Sequence, residues 1–309
     1  MRIDKITPAV RELASGLQFP EGPIAMPDGA VILVEMRRQT LTRVTPRGRV
    51  EVVAELGGGP NGAAVGPDGR VYVTNNGGPE WIVDGGGNTL PIGSAPDAAG
   101  GSIQVVDLAT GKAETLYDHC AGRSLGAPND LVFDDRGGFW FTDFVKYRGS
   151  NSTQGGIYYA QADGSLIERK IFPLDHPNGI GLSPDGKRLY VAETPTARCL
   201  AFDLEAPGML AVDATNGRVL AALGNNQLFD SLAVDSEGHV CVATIVNGGV
   251  SDIWPDGSRV DQYLLPDPIV TNVCFGGPDR RTAFATLSMH GKLAAFDWPR
   301  PGAALNYLD

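Results

Sequence analysis

Three things are scarce in this chain, and each scarcity closes off a class of function. It has four cysteines, Cys120, Cys199, Cys241 and Cys274, scattered without a Cys-x-x-Cys pair. That spacing excludes a zinc knuckle and offers no thiol nucleophile; Cys241 and Cys274 fall at apolar positions of predicted strands and read as reduced core residues. Positive charge is short as well, with 25 Lys and Arg against 36 Asp and Glu and a net charge of -11. A surface of that sign disfavours phosphate backbones and anionic membranes, so neither nucleic acid nor membrane is expected as a partner. Long hydrophobic runs are missing too: Met1 to Pro8 has no apolar stretch of signal-peptide length, and no later segment approaches membrane-spanning length. The expected location is cytoplasmic.

Glycine and proline, by contrast, are abundant, at 41 and 22 of 309 residues. Together with short β-branched runs between turn dipeptides they favour many short strands over helices. One pattern recurs along the whole chain. A small or apolar residue and a polar one open an apolar strand that ends six residues later at a turn. The register pairs Glu21 with Pro27-Asp28-Gly29, Asn61 with Pro67-Asp68-Gly69, and Asn129 with Asp135-Arg136-Gly137. It continues with Asn178 and Pro184-Asp185-Gly186, Asp230 and Ser236-Glu237-Gly238, and Asn272 and Pro278-Asp279-Arg280. Each copy extends into a four-stranded antiparallel meander of roughly 40 to 50 residues, the length of a propeller blade. One such sheet cannot bury both faces alone, so the units must stack into a ring. The pattern predicts an all-β, six-bladed β-propeller, forming a single domain over residues 1–309. The sixth copy lacks an outer strand after Leu293 to Asp297, and Ala9 to Ala14 stands where one is needed, so an N-terminal strand is expected to close the ring.

The first strand of each propeller blade lines the central channel. Glu21, Asn61, Asn129, Asn178, Asp230 and Asn272 should therefore meet near one mouth. Two carboxylates and four carboxamide oxygens form an all-oxygen set suited to a hard divalent cation; the alternative is a ring of polar residues that binds channel water. Connections between second and third strands should rim the same mouth, leaving only short turns at the other. The longest is a lid-like insertion at about 77–100 carrying Trp81; other rim residues are Lys146, Tyr147 and Arg148, Glu193, His290, and His176 at the blade-four entry.

Phe19-Pro20-Glu21-Gly22-Pro23, Ala127-Pro128-Asn129-Asp130-Leu131, His176-Pro177-Asn178-Gly179-Ile180 and Phe229-Asp230-Ser231-Leu232-Ala233 resemble motifs of the gluconolactonase, regucalcin (senescence marker protein) and luciferin-regenerating family. The resemblance runs from about Leu13 to Trp298. It implies one divalent cation in the channel, calcium first, with zinc, manganese or iron(II) as alternatives, held by Glu21, Asn178 and Asp230, with Asn129 as a further ligand or substrate contact. It also implies a metal-dependent hydrolase opening a small lactone, most simply a sugar lactone, with Asp230 and Asn129 catalytic and Asn129, Trp81, Lys146, Tyr147 and His290 contacting substrate. Two departures bear on the substrate: Ala127 stands where the regucalcin branch has an arginine, and Asp230-Ser231 where many members have Asp-Gly. A phosphotriesterase at the same site and a non-catalytic cation-binding propeller are the competing readings.

Overall fold

In this computed structural model the described residues are all but 97, 99, 145, 146, 149, 150, 153, 225, 226 and 309, and at 147, 148, 151 and 152 the backbone alone. The turn glycines show why the repeat folds as it does. Gly29, Gly69, Gly137, Gly186 and Gly238 all take positive φ angles, from 67° to 84°, where a residue without a Cβ is unstrained. In the sixth copy Arg280 occupies this position at φ 55°, and its N–H still closes the turn onto the Gly277 carbonyl at 3.1 Å.

Each turn joins an innermost strand to the next strand out, and six antiparallel sheets result. Their innermost strands are Pro20–Ala25, Pro60–Val65, Pro128–Phe133, Pro177–Leu182, Leu228–Val234 and Val270–Gly276. Buried aromatic and aliphatic side chains fill the gaps between neighbouring blades. Tyr72, Phe133, Phe139 and Phe141 pack between blades two and three, and Trp140, Ile157, Leu189 and Phe202 between three and four. Cys199, Cys241 and Cys274 are buried free thiols in these layers. The chain is a six-bladed β-propeller, and Arg11–Ala14 pairs antiparallel with Lys292–Asp297 as the outer strand of blade six. That is the closure the sequence predicts.

Two features are additional. Arg2–Ile6 pairs in parallel with Arg259–Leu264 on the edge of blade five, so the N-terminal arm ties two blades together. The far mouth holds more than short turns, contrary to expectation, because the segment after Trp298 crosses it as a strap. Arg300 reaches Asp235 and Asp252 in blade five, Ala303 N–H donates to the Val234 carbonyl at 3.0 Å, Asn306 Nδ2 donates to the Phe133 carbonyl at 3.0 Å, and Tyr307 Oη accepts from Gly137 N–H at 2.9 Å. Side chains in an irregular segment leave no periodicity to read, which is why the strap was invisible to pattern analysis.

All six innermost strands carry a register shift at the polar position of the repeat, between Glu21 and Ile24, Pro60 and Ala63, Pro128 and Leu131, Pro177 and Ile180, Phe229 and Leu232, and Val270 and Asn272. A bulge re-aims side chains that strict alternation would send to the two sheet faces. Hydroxyls then clasp each bulge to its neighbour. Thr74 Oγ1 accepts from Gly62 N–H at 2.8 Å and donates to the Asn129 carbonyl of the next blade at 2.5 Å. Thr142 Oγ1 does the same between Asp130 N–H, at 3.1 Å, and the Asn178 carbonyl, at 2.6 Å. Thr271 and Ser288 close the circle by donating to the Pro20 carbonyl at 3.2 and 2.6 Å.

The blades approach so closely here that a Cβ on Gly179 would lie 2.5 Å from the Leu232 backbone nitrogen. Gly179→Ala should therefore cost roughly 2 kcal/mol or more in chemical denaturation, because neither backbone can move without opening the ring. Gly224→Ala, where a Cβ meets nothing within 4 Å, should be near neutral.

Candidate active site in the central channel

Placed in the bulges, Glu21, Asn61, Asn129, Asn178, Asp230 and Asn272 are all buried. The structure thus brings together every polar residue of the repeat. Glu21 Oε2 accepts from its neighbour Gly22 N–H at 3.0 Å and from Asn272 Nδ2 at 3.2 Å. Asn272 turns its own oxygen to Val273 N–H at 2.8 Å, so it supports Glu21 with an oxygen already engaged. Asn178 donates from Nδ2 to Thr194 Oγ1 at 3.1 Å and also hydrogen-bonds the Asp230 carboxylate, while its Oδ1 accepts from Ser231 Oγ at 3.5 Å. The Oδ1 atoms of Asn61 and Asn129 are buried with no hydrogen-bond partner among the described residues. Buried acceptors left bare are rare and costly unless something electropositive faces them.

A third carboxyl joins the pair expected from the repeat. Asp130 follows Asn129 where Gly22, Gly62 and Gly179 stand in other blades, and it too is buried. Its Oδ1 accepts from Leu131 N–H at 2.9 Å, and it also bonds Ser231 and Ile180 N–H. Burial pushes the Asp130 carboxyl up to about 7. Burial also raises Asp230, with the Asp130 charge adding to it, and raises Glu21 well above the usual range, with Asp230 and Asp130 adding to that. The signal that could have found Asp130 is a carboxylate replacing a glycine in the bulge of one blade. Three acids and two bare carboxamide oxygens in a buried channel have the donor chemistry of a hard divalent cation site, and the residues present fit one.

Around the mouth, the hairpin of Glu80–Val83 and Thr89–Ile92 leans from blade two onto blade one. Trp81 meets Phe19 edge to face with ring centroids 5.2 Å apart, and Arg37 Nη1 donates to Thr89 Oγ1 at 2.9 Å. Trp81 is therefore next to the strand that carries Glu21. His290 is exposed and pairs through Nδ1 with the buried Asp267 at 3.1 Å, which fixes the ring on the blade-six rim. His176, at φ 51°, pairs with Asp175 and packs on Phe144. Glu193 is buried and bonded to Arg198 and Thr196, which leaves it no role in recognition. Ala127 is held by its N–H on Asp143 at 2.5 Å. Lys146 lies outside the described residues; of Tyr147 and Arg148 only the backbone is described, in a short pairing with Asn151–Ser152.

Asp235, His239 and Asp252 offer ligand atoms within 4.8 Å of one another. They are not part of the channel site. Arg300 takes an oxygen from each aspartate, and His239 Nδ1 bonds Asp252 Oδ1 at 2.8 Å, so the group is the anchor of the C-terminal strap.

These features define a six-bladed propeller with an acid-lined channel of oxygen donors. The chain belongs to the family described as the SMP-30/gluconolactonase/LRE-like region, which its residues 19–289 match. It is 26% identical to a gluconolactonase of Zymomonas mobilis, over 89% of this chain and 77% of that protein. It is 33% identical to the lactonase drp35 of Staphylococcus haemolyticus over a shorter stretch, 45% of this chain and 42% of the relative. Among solved structures, the calcium-binding protein regucalcin of Agrobacterium tumefaciens superposes with a TM-score of 0.76 at 20% identity, covering 99% of this chain and 100% of the other. A gluconolactonase of Xanthomonas campestris gives 0.74 at 24%, covering 94% and 89%. At those identities the superpositions show the fold alone.

The raised carboxyls determine how chelator-treated protein should respond to pH. In the folded chain Asp130 stays protonated up to about pH 7, whereas in the unfolded chain an aspartate ionises near pH 4. Between these values unfolding releases protons, so stability falls as pH rises. Glu21 and Asp230 shift in the same direction and add to the loss. Thermal melts in chelator should show Tm falling by about 5 °C or more from pH 5 to pH 8, a few kcal/mol for a chain of this size. Saturating calcium should flatten that dependence.

Proposed function

We propose that this protein is a divalent-cation-dependent lactonase, hydrolysing a small lactone to its hydroxy acid. The observation that carries the reading is the convergence of Glu21, Asp130 and Asp230 with the bare oxygens of Asn61 and Asn129 at one channel mouth. The relatives named gluconolactonase and lactonase drp35 support the reaction class. Glu21, Asn129, Asn178 and Asp230 would hold the cation, with Asn61 and Asp130 completing the oxygen set. An all-oxygen site with carboxylates favours calcium, and the regucalcin neighbour is described as a calcium-binding protein. Bound there, a divalent cation supplies Lewis acidity that offsets the charge developing on the lactone carbonyl oxygen.

The chain's own residues do the rest. Asp230 accepts the proton released when water adds to the carbonyl carbon; as a ligand of the cation it is a weak base by itself, so the cation would supply most of the acidification of that water. As the ring C–O bond breaks, the same carboxyl returns the proton to the departing alkoxide, so atoms and charge balance. The Asn129 side chain orients the water or the ring oxygen. Trp81 and Phe19 form an apolar wall beside Glu21, and the insertion at about 77–100 acts as a lid. His290, held by Asp267, and Lys146 and Tyr147 would recognise hydroxyl or carboxylate groups of the substrate.

Proton release from aldonolactones and simple aliphatic lactones, before and after chelation and refilling with calcium, manganese, zinc or iron(II), tests the reading. Turnover should vanish with the metal and return with one cation. Asp230→Asn should lower kcat/KM about 100-fold or more without lowering Tm in chelator. Full turnover by that variant, or by stripped protein, would rule out the mechanism; tight metal binding with no lactone turned over would redirect the search to phosphotriesters.

A further inference from the structure

A cavity lies on the other side of the polar ring from the Trp81 hairpin. It measures about 470 Å3 and runs from Asp130 and Asn272 down to the far mouth. Its walls are polar and apolar in about equal measure, the apolar part coming from side chains of the innermost strands such as Ile24, Val65, Leu131, Leu182 and Val234. One side is built by the C-terminal strap through Ala303, Leu305 and Leu308. The strap is pinned by Arg300 at one end and by Asn306 and Tyr307 at the other. This gives the cavity a fixed wall, with an opening beside the turns of blades three and four.

Volume and lining are those of a pocket for a small molecule, and its charge selects which kind. Two cations lie at the opening, and both are matched: Arg136 by Asp135 at 3.7 Å, and Lys187 by Asp185. Asp134 is satisfied by Tyr159 Oη at 2.7 Å and two backbone N–H groups. Glu205 remains at the rim with no ion pair among the described residues, and the chain as a whole carries -11. An anion would meet that excess of carboxylates unfavourably, and a cation would be drawn to it.

We propose that this cavity is a second ligand site, on the far side of the carboxylate ring and bounded by it at Asp130, for a small apolar amine: the hydrocarbon body fills the interior and the ammonium group sits at the rim beside Glu205. Nothing in the lactonase reading requires it, and it stands if that reading falls.

Isothermal titration of the calcium-loaded full chain with 4-phenylbutylamine, 4-phenylbutanol and 4-phenylbutanoate tests the proposal. The amine should bind saturably and roughly tenfold tighter than the carboxylate isostere, with the alcohol between them. Glu205→Lys, at an exposed position, should weaken the amine about fivefold or more and leave the alcohol unchanged. Ala303→Trp, or Leu305→Trp if the first fails to fold, should weaken amine and alcohol together by filling the interior. Failure of the amine to bind, leaving a cavity that holds water only, would overturn the proposal. So would a preference for the carboxylate, or binding indifferent to both strap substitutions. An amine displaced by calcium would place it on the ring and equally refute the second site.

Discussion

The structure depends on how closely six strands can meet around one axis. Each innermost strand must bulge to aim a polar side chain into the channel, and each bulge frees backbone groups that burial makes costly to leave unpaired. The hydroxyls of Thr74, Thr142, Thr271 and Ser288 resolve both problems with one group: they take up the N–H of their own blade or its neighbours' carbonyls. Glycines at 22, 62 and 179 make the approach sterically possible. The ring of side chains is therefore held by backbone already locked from blade to blade, the preorganisation that a site of fixed oxygen donors requires.

That rigidity supports a destabilising arrangement. Glu21, Asp130 and Asp230 share a buried space where burial raises the proton affinity of all three, with Asp130 adding to Asp230 and both aspartates adding to Glu21. Cohesion comes from elsewhere in the ring. Arg11–Ala14 closes blade six, Arg2–Ile6 extends blade five, and Arg300 joins two buried aspartates and their histidine to the strap. The Asp235, His239 and Asp252 group looks like a metal site by composition and spacing, but the Arg300 guanidinium already occupies an oxygen of each aspartate. Among the described residues the channel group has no such internal cation, and that difference separates a structural anchor from a site with oxygens to offer.

Much of this was legible in the chain because a propeller repeats itself. Six copies of one register placed six residues at equivalent points, and rotational symmetry then required them to converge. The blade count and the N-terminal closure followed from the same repeat. Asp130 was not legible, because alternation assigns adjacent residues to opposite faces and only the bulge cancels that rule. The strap was not legible because it repeats nothing. Side-chain partners were also beyond pattern analysis: Asn272 sits in register with Asn61, yet it is consumed by Glu21 and Val273 while Asn61 keeps a bare oxygen.

By itself, then, the sequence determined the architecture and the list of channel residues, because hydrophobic period and turn chemistry are local and recur in every blade. Tertiary structure alone decided which oxygens are free, that a third carboxyl joins them, which acidic cluster is already bridged by an arginine, and that a cavity walled by the strap lies at the far end. Each of those is settled by contacts between residues far apart in the chain, and no local pattern records such contacts.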